Sequence, residues 1–578
     1  MKLKKKNIAL YLLISILFFV IGCSPRLPVQ ITPSESYGVV ASPHPVATAI
    51  GEDVLKNGGN AVDAAVAVGF ALGVVDQFNS GIGGGGFIVI RLADGTVYTI
   101  DARETAPALA TRDMYLRDGD YIPELSRTGP LSVGVPGIVA GYVKMLELAG
   151  SQSLRELVAP SIRVAEKGFV LDEYYMSRYG GVIDGLSFDS ASAAVYLKSD
   201  GSSYSAGDVL IQKDLAETYS KIAENGVDYF YIGEFALALA GYMAQNGGLI
   251  SFEDMANYKP KLRDAVTGNY KEVEIIGMAP PSSGGVHVVQ LLNMVESSRI
   301  LEGKEKWTSE GIFRMSQFME KAFEDRAIHL GDSDFYPVPV ERLTSKSYAD
   351  SAVQVIMGSD KTVETVNVLK LGTSNPRINS WVNSGLLPDG HTANYAVIDK
   401  WGNAVSVNQT VNLTFGAKIT LPGTGVILNN QMDDFSSQPG VPNAFGLVGS
   451  EANSIAPGKR PLSSMSPTIV VKNDKPVLIL GGAGGPRIIT AVLLTIMGMV
   501  DFGMDLDEAL MQTRFHHQYK PDLLYLETSA SFWTKAGLRL KGIKPEMRDE
   551  LGRINAIAWN DEAGGYIAIP EPRMGKRY

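Results

Sequence analysis

The segment of residues 391–416 constrains the fold more than any other stretch, because its polarity alternates from one residue to the next. Residues 395–399 predict a strand, residues 400–403 a turn, and the residues that follow a second strand. One face of the second strand is mainly apolar, with Val405, Val407, Gln409 and Val411, and the other is polar but uncharged, with Ser406, Asn408, Thr410 and Asn412. A surface hairpin would also alternate. The apolar face instead favours a core hairpin, with the Thr392 hydroxyl beside the polar row of the partner strand.

Two features upstream predict buried, tightly packed backbone. Residues 60–75 are apolar on nearly every side, so they predict a buried helix that is too short to cross a bilayer and contains Asp63. Residues 81–86 match the letters of a dinucleotide-binding fingerprint, but here the glycines follow a helix and precede a strand at residues 87–91. The fingerprint requires the opposite order. The glycines therefore predict a passage where backbone packs against backbone.

A second glycine-rich stretch lies in residues 481–486, between a predicted strand at residues 477–480 and a predicted helix at residues 488–499. Arg487 stands where a dinucleotide motif has its third glycine, and no Lys-Ser/Thr pair follows, so neither nucleotide motif is met. Glycines that lead into a helix still present backbone N–H groups to an anion. In an acyl-transfer enzyme that anion is the oxyanion of the tetrahedral intermediate.

Composition excludes several classes of function. The 578-residue chain is 45% hydrophobic and 20% charged, with a net charge of −10 and no basic stripe after its N-terminus, so nucleic acid is not an expected partner. A single Cys and six His without an HExxH pattern predict no metal site, and no cofactor is expected. The sequence also lacks the Gly-x-Ser-x-Gly elbow of a Ser-His-Asp hydrolase.

The N-terminus is typical of an export signal. Lysines precede an apolar run at residues 8–21, and the run ends at Gly22 and Cys23, which resembles the bacterial lipoprotein box. We therefore expect a signal peptide at residues 1–22, a lipidated Cys23 and a Pro-rich tether at residues 23–36, and hence a membrane-anchored protein of the bacterial cell envelope. The alternative is an ordinary cleaved signal in which Cys23 is incidental.

Several separated motifs resemble those of the gamma-glutamyltranspeptidase family, in that family's order. They begin at Thr392 and continue through Asn412 and Phe415-Gly, Asn430 to Phe435, Arg460 to Pro467, and Gly482 to Gly485. An Asp101-Ala-Arg103-Glu motif and Gly331-Asp-Ser-Asp-Phe335 also fit, although the latter suggests no chemistry. The resemblance implies an α/β (α+β) fold, the four-layer αββα sandwich of N-terminal-nucleophile hydrolases.

The resemblance also implies that the chain cuts itself between His391 and Thr392. The products would be a large subunit of residues 37–391 and a small subunit of residues 392–578, which together build the sandwich as a heterodimer. Thr392 would then be N-terminal, and its α-amine, with an ordinary pKa of about 7.7–8.0, could serve as the base that a threonine nucleophile needs. Residues 371–389 are rich in Gly, Ser, Asn and Pro and predict a flexible approach to the cut.

The family resemblance also implies which residues bind the small-molecule substrate. By resemblance Arg103, Ser463 and Ser464 hold the substrate α-carboxylate, Asn412, Gln431 and Asp434 hold its α-amine, Thr410 supports Thr392, and the backbone of Gly484 and Gly485 forms the oxyanion hole. A guanidinium suits a carboxylate because it can donate two parallel hydrogen bonds to it in a bidentate pair. Residues 439–458 resemble the lid that covers the site in many family members, with Phe445 as an aromatic gate. A plain surface loop would have a similar sequence and is the alternative.

Asn394 and Ala396 depart from the family pattern, which usually has His and a hydroxyl residue at these positions. Asn cannot carry a proton at neutral pH, so slow maturation is expected. Three functions compete: a gamma-glutamyltransferase and glutathione hydrolase, a related amidase acting on a polyglutamate or a cephalosporin side chain, and an uncleaved binding protein. Arg103 together with Asp434 favours the first, because a zwitterionic amino-acid end needs a fixed cation and a fixed anion.

Overall fold

The computed structural model describes residues 32–33, 37–358 and 391–574. The predicted signal peptide, Cys23, most of the tether and the approach loop of residues 371–389 lie outside these ranges. Within the described ranges, no helix combines the length and the apolar character needed to span a bilayer.

The predicted hairpin lies in the middle of an antiparallel sheet. This first sheet has six strands, in the spatial order Gly38–Ala41, Ala393–Asp399, Ala404–Thr410, Gly85–Arg91, Val97–Ala102 and Lys261–Arg263. The hairpin register pairs Ala393 with Gln409 and Asn394 with Asn408. The hairpin prediction is confirmed, and the first strand begins two residues earlier than expected. The register brings the start of one strand, at Thr392, beside Thr410 at the end of its partner.

A second antiparallel sheet faces the first. Its seven strands, in spatial order, are Thr32–Pro33, Gly565–Ile569, Ala556–Asn560, Lys475–Leu480, Thr468–Lys472, Val273–Gly277 and Val266–Tyr270. The polar row of the hairpin points into the space between the sheets, where the Ser406 hydroxyl donates to the Leu480 carbonyl at 2.7 Å and the Asn408 amide donates to the Gly482 carbonyl at 2.5 Å. These hydrogen bonds explain why the row is polar but uncharged, since the Ser406 hydroxyl and the Asn408 amide group both donate to backbone carbonyls.

The predicted buried helix is confirmed as Ala61–Val75, every residue of which is buried. It packs on the outer face of the first sheet, against both strands of the hairpin. Asp63 is tolerated there because its carboxylate completes a capping box with Asn60 and accepts the N–H groups of Ser151 at 2.8 Å and Gln152 at 3.1 Å.

A second helical layer covers the opposite side. Gly284–Ser298 packs on the edge strand Val266–Tyr270 and on its neighbour Val273–Gly277, and Arg487–Phe502 packs against that helix. The order of layers is helix, sheet, sheet, helix. This arrangement confirms the expected four-layer αββα sandwich.

The remaining elements surround these layers. The other helices are Pro45–Lys56, Pro123–Arg127, Ile138–Ala149, Leu154–Lys167, Glu173–Tyr179, Ile183–Ser187, Ser190–Tyr196, Lys213–Asn225, Val227–Tyr231, Glu234–Asn246, Phe252–Asn257, Ser309–His329, Val340–Leu343, Lys346–Gly358, Leu506–Met511 and Phe532–Leu540, with short 3₁₀ turns at Pro130–Ser132, Gln431–Asp434, Glu451–Asn453 and Pro572–Met574. Small sheets pair Leu116–Arg117 with Asp120–Tyr121, Phe169–Val170 with Val209–Leu210, Thr420–Leu421 with Val426–Ile427, and Phe515–His516 with Tyr525–Glu527, which also pairs with Glu546–Arg548.

The first glycine-rich stretch is a close backbone passage, as predicted. A Cβ on Gly84 would lie 2.0 Å from the Thr410 carbonyl oxygen, and one on Gly83 would lie 2.1 Å from the Ile427 carbonyl oxygen. Such distances exclude any side chain. The glycines therefore let the strand Gly85–Arg91 pair closely with the hairpin strand Ala404–Thr410.

Candidate active site

The carbonyl of His391 is the acceptor of two hydroxyl groups. The Thr392 Oγ1 donates to it at 2.8 Å and the Thr410 Oγ1 at 2.7 Å, while the backbone N–H of Asn412 donates to Thr410 Oγ1 at 2.9 Å. Thr392 and Thr410 are both buried. In the intact chain Thr410 therefore acts on the carbonyl of the bond expected to break, and its hydroxyl polarises that carbonyl toward nucleophilic attack.

His391 itself is fixed and neutral. Its Nε2 lies 2.5 Å from the Thr414 Oγ1. Burial lowers the pKa of His391 well below its ordinary value, and the nearby cations Arg178, Lys418 and Arg487 lower it further. The residue before the expected cut is thus held by a hydroxyl partner and carries no charge at neutral pH.

One cavity next to Thr392 brings together most of the residues that the sequence singled out. Its walls include Thr392, Thr410, Asn412, Arg103, Gln431, Asp434, Ser463, Ser464, Phe445 and Gly485. These residues come from both sides of the expected cut and from segments more than 300 positions apart in the chain. The sequence also missed members of this cavity: Arg326, Leu447, Leu462, Met465, Pro486 and Ile488.

A chain of polar contacts links Arg103, Asp434 and Gln431. The Arg103 Nη2 donates to Asp434 Oδ2, and the Gln431 Nε2 donates to the same oxygen at 2.7 Å. Burial raises the pKa of Asp434, although the Arg103 guanidinium opposes the shift. The Gln431 Oε1 is buried and has no hydrogen-bond partner in the described part of the chain. Asp434 and this amide oxygen are acceptors suited to an ammonium group.

Glu104 adds a second carboxylate that sequence reasoning did not assign. Its Oε2 lies 3.8 Å from Arg103 Nη1, and neither carboxylate oxygen has a hydrogen-bond partner among the described residues. Burial raises the pKa of Glu104 to about 7, while Arg103 lowers it in part. The group is therefore poised between its neutral and charged forms near physiological pH.

Ser463 and Ser464 line the cavity from a segment held by residues 281–283. The Ser463 N–H donates to the Pro281 carbonyl at 2.8 Å, and the Ser283 N–H donates to the Ser463 carbonyl at 2.8 Å. Because the backbone is tied on both sides, the two hydroxyls have fixed positions. The backing segment has no regular secondary structure, and its sequence gave no sign of this role.

The motif at residues 331–335 now has a structural role. The Asp332 carboxylate accepts the Arg460 N–H at 2.9 Å and lies 3.4 Å from the Arg263 Nη2. Arg263 also pairs with Asp101 at 2.9 Å. These buried ion pairs connect the end of the helix Ser309–His329 to the segments that carry Arg103 and Ser463.

The second glycine-rich stretch lies between the strand Lys475–Leu480 and the helix Arg487–Phe502, as predicted. Gly484 and Gly485 have φ of +136° and +59°, and a Cβ on Gly485 would meet the Phe445 ring at 2.8 Å. The N–H groups of both glycines donate to no acceptor in the described part of the chain. Gly485 lines the cavity, and Gly484 precedes it in the chain without lining the cavity itself. Unused N–H groups at this place suit an oxyanion.

Phe445 packs over these glycines. The ring is buried, and its backbone is held by the Gln518 amide, which donates to the Phe445 carbonyl at 3.1 Å. The Asp433 carboxylate accepts the Ala444 N–H at 2.9 Å, so Asp433 positions the segment that carries Phe445 while its neighbour Asp434 faces the cavity.

Asn394 does not line this cavity. Its amide donates to the Asn555 carbonyl at 2.9 Å and its side-chain oxygen accepts the Asn555 N–H at 3.1 Å, so the side chain joins the two sheets. Ala396 is fully buried in the same strand. The effect of both residues on maturation remains a prediction.

One group of side chains has the composition of a metal site. Among the described residues, donor atoms of Glu320, His517 and Asp522 lie within 4.8 Å of one another. Two of them already interact, since the His517 Nε2 lies 3.0 Å from Asp522 Oδ1, and the other ring nitrogen, His517 Nδ1, accepts the Tyr519 N–H at 3.3 Å. None of the three lines the cavity. The expectation that the protein binds no metal remains a prediction.

Comparison with known proteins places these features in context. Residues 47–578 match the family model described as gamma-glutamyltranspeptidase. The chain is 42% identical over 544 residues to the glutathione hydrolase proenzyme of Escherichia coli strain K12, covering 93% of this chain and 90% of that protein. It is 37% identical to the acylase ACY 1 proenzyme of Pseudomonas sp. strain SE83, covering 92% and 91%.

Two solved structures show the same fold. Helicobacter pylori gamma-glutamyltranspeptidase superposes with a TM-score of 0.54 at 40% identity, over 57% of this chain and 93% of that one. Cephalosporin acylase from Bacillus halodurans superposes with a TM-score of 0.79 over 96% of each chain, and at 24% identity this likeness concerns the fold alone.

Proposed function

The chain belongs to the gamma-glutamyltranspeptidase family, and on this premise we propose that it is a self-cleaving gamma-glutamyltransferase and glutathione hydrolase. It takes the γ-glutamyl group of glutathione and related compounds onto Thr392 and passes it to water or to an amino-acid or peptide amine. One observation carries the proposal: the Thr392 and Thr410 hydroxyls meet at the His391 carbonyl, on the wall of a cavity that also holds Arg103 and Asp434.

Maturation begins with attack of the Thr392 Oγ1 on the carbonyl carbon of His391. The C–N bond breaks, the amide nitrogen takes the hydroxyl proton, and an ester links His391 to Thr392. Thr410 stabilises the developing negative charge on the carbonyl oxygen, to which its hydroxyl already donates. Water then hydrolyses the ester, which releases the His391 carboxylate and leaves Thr392 with a free hydroxyl and a free α-amine.

The mature enzyme repeats this chemistry on its substrate. The α-amine of Thr392 takes the proton from Oγ1 as that oxygen attacks the γ-carbonyl, because an α-amine with a pKa of about 7.7–8.0 is a base matched to neutral pH. The N–H groups of Gly484 and Gly485 receive the oxyanion. The leaving amine takes the proton, and the γ-glutamyl ester on Thr392 is then resolved by water or by a second amine.

Charge complementarity supports the γ-glutamyl substrate. Asp434 and the unpartnered Gln431 Oε1 supply acceptors for the α-ammonium, with Asn412 beside them in the cavity wall. Arg103 with Ser463 and Ser464 supplies donors for the α-carboxylate. A zwitterion transferred from water into a largely buried site needs partners for both of its charges. Phe445 closes over the glycine loop and acts as the gate of the cavity.

A related amidase is the second candidate, because the acylase ACY 1 proenzyme is also a relative at 37% identity. Asp434 and the unpartnered Gln431 Oε1 argue against a plain or dicarboxylic acyl group, since such a group has no ammonium to donate to these acceptors. Release of 4-nitroaniline from its γ-L-glutamyl derivative, compared with glutaryl-4-nitroanilide, decides between the two. The γ-glutamyl proposal predicts turnover of the first substrate, accelerated by an acceptor dipeptide, and little turnover of the second.

We also propose that the protein is located in the cell envelope. This proposal rests on the lysine-rich start, the apolar run and Cys23, which together suit an exported protein that is cut before Cys23 and held by lipid.

A further inference from the structure

Arg326 is a second guanidinium in the wall of the cavity. It lies on the helix Ser309–His329 and is 5% exposed. Its Nε donates to the Ser283 Oγ at 3.2 Å and its Nη2 donates to the Ser464 Oγ at 3.4 Å. Within residues 32–33, 37–358 and 391–574, no carboxylate oxygen lies within 4.0 Å of it. Arg326 therefore has hydroxyl partners and, among these residues, no carboxylate at ion-pair distance, and Asp434, which already pairs with Arg103, attracts it from farther away.

Arg103 is different, because the protein already balances its charge. Its Nη2 donates to Asp434, its Nε donates to the Pro461 carbonyl at 3.1 Å, and its Nη1 faces Glu104 at 3.8 Å. Nη1 makes no hydrogen bond among the described residues. Arg103 can thus offer one donor to a ligand but little unmatched charge.

Arg326 keeps its charge at working pH. Burial lowers its pKa to about 10, and this value still leaves the guanidinium protonated at pH 7. A buried cation that forms no contact ion pair is costly, and the cost falls when an anion binds beside it. An anion bound next to Ser464 would therefore be stabilised by Arg326.

We infer that Arg326 supplies the charge that binds the substrate α-carboxylate, together with the Ser464 hydroxyl and the remaining Nη1 donor of Arg103. This inference rests on the proposed function, since it names a specificity-determining residue for the same γ-glutamyl group. Arg103 then has a second task, which is to hold Asp434 in place for the α-ammonium. A carboxylate could also come from the far end of the substrate, as in the glycine of glutathione, so the test separates the two sources.

Three substrates separate them. γ-L-Glutamyl-4-nitroanilide has an α-carboxylate only, glutathione has an α-carboxylate and a carboxylate on the leaving group, and 4-aminobutanoyl-4-nitroanilide keeps the amine but has no carboxylate. The variants are Arg326→Met and Arg326→Lys. Arg314→Met is the matched control, because Arg314 lies on the same helix and pairs with Glu310 at the surface.

Arg326→Met is expected to lose about 100-fold in kcat/KM on the first two substrates and to change less than about threefold on 4-aminobutanoyl-4-nitroanilide. Arg326→Lys should recover part of the loss, because it keeps the charge but not the fork. Self-cleavage and the melting temperature show whether each variant folds. If Arg326→Met fails to cleave itself, Arg326→Lys gives the same comparison, with a smaller but selective loss on the two α-carboxylate substrates.

An equal loss on all three substrates would overturn the inference, since it would mean a structural role. A loss confined to glutathione would overturn it as well, because it would place the carboxylate of the leaving group at Arg326. A parent enzyme that hydrolyses no γ-glutamyl compound would refute the proposed function itself. That outcome is distinct from either failure of the inference.

Discussion

The hydroxyl of Thr410 donates a 2.7 Å hydrogen bond to the carbonyl oxygen of His391, the residue that precedes the proposed cut. The expectation from family resemblance was that Thr410 supports the Thr392 side chain. In the intact chain both hydroxyls instead converge on one carbonyl, and this geometry suits Thr410 to stabilise the oxyanion of self-cleavage.

Removal of the Thr410 hydroxyl should slow maturation. Thr410→Val is expected to cleave on the order of 100-fold more slowly than the parent, as is typical when one oxyanion donor is lost, while Thr410→Ser keeps most of the rate. The measurement is the disappearance of the intact chain of purified precursor on a denaturing gel. Ser406→Ala is the matched control, because it removes a hydroxyl from the same face of the same strand, where it contacts Leu480. Equal rates for Thr410→Val and the control would contradict the role of Thr410.

Loss of Arg103 should impair substrate recognition and leave self-cleavage intact. Arg103→Ala removes a donor for the α-carboxylate and leaves Asp434 without its cation. The transition state should therefore lose roughly 2–5 kcal/mol of stabilisation, which is measured as a fall in kcat/KM for glutathione. Steady-state hydrolysis measures this loss. The control is Arg112→Ala, which removes an exposed guanidinium paired with Glu451. An unchanged catalytic efficiency in Arg103→Ala would exclude Arg103 from the site.

Glu104 should make stability depend on pH. Its pKa is about 7 in the fold against an ordinary value of 4.5, so the folded chain binds this proton more tightly than the unfolded chain does. The stabilisation is complete below about pH 4.5 and is lost as the pH rises through about 7, on the order of 3 kcal/mol at most. Urea unfolding of an uncleaved Thr392→Ala background should show this fall. Glu104→Gln should flatten it, whereas Glu166→Gln, at an exposed position, should not. A profile that rises with pH over this range in the parent and is unchanged by Glu104→Gln would contradict the assignment.

The proposed localisation at the membrane depends on lipidation of Cys23. Cys23→Ser should move the protein from the membrane fraction to the soluble fraction of the cell envelope, because stable anchoring requires acyl chains on that residue. Fractionation followed by immunoblotting measures the shift, with Ser24→Ala as the control. A Cys23→Ser protein that stays as membrane-bound as the parent would contradict the lipoprotein assignment.

The sequence predicted much of the architecture because local patterns carried it. Alternation placed Thr392 and Thr410 at adjoining ends of a hairpin, and an all-apolar run marked the helix Ala61–Val75. Gly83 and Gly84 predicted a place where two backbone segments pack closely together, which the structure confirms. These features follow from period and steric size, both of which a single sequence displays.

The parts that the sequence did not reveal depend on long-range partners. Arg326 lies on an ordinary helix, and nothing near it in the chain marks it as facing Ser464. Periodicity likewise could not show that the Asn394 side chain hydrogen-bonds to Asn555, 161 positions away in the chain. A pattern fixes the face on which a residue lies, whereas the group it meets there is determined by packing of distant segments.

Self-cleavage at Thr392 is the central claim, and mass spectrometry of purified precursor during incubation tests it most directly. The parent should convert unaided, over minutes to hours, into fragments of residues 23–391 and 392–578, and the small fragment should begin at Thr392. Thr392→Ser should retain some cleavage, because it keeps a hydroxyl, and Thr392→Ala should stay intact and inactive. A chain that stays whole yet hydrolyses glutathione would contradict the mechanism, and one that stays whole and inert would favour a binding protein.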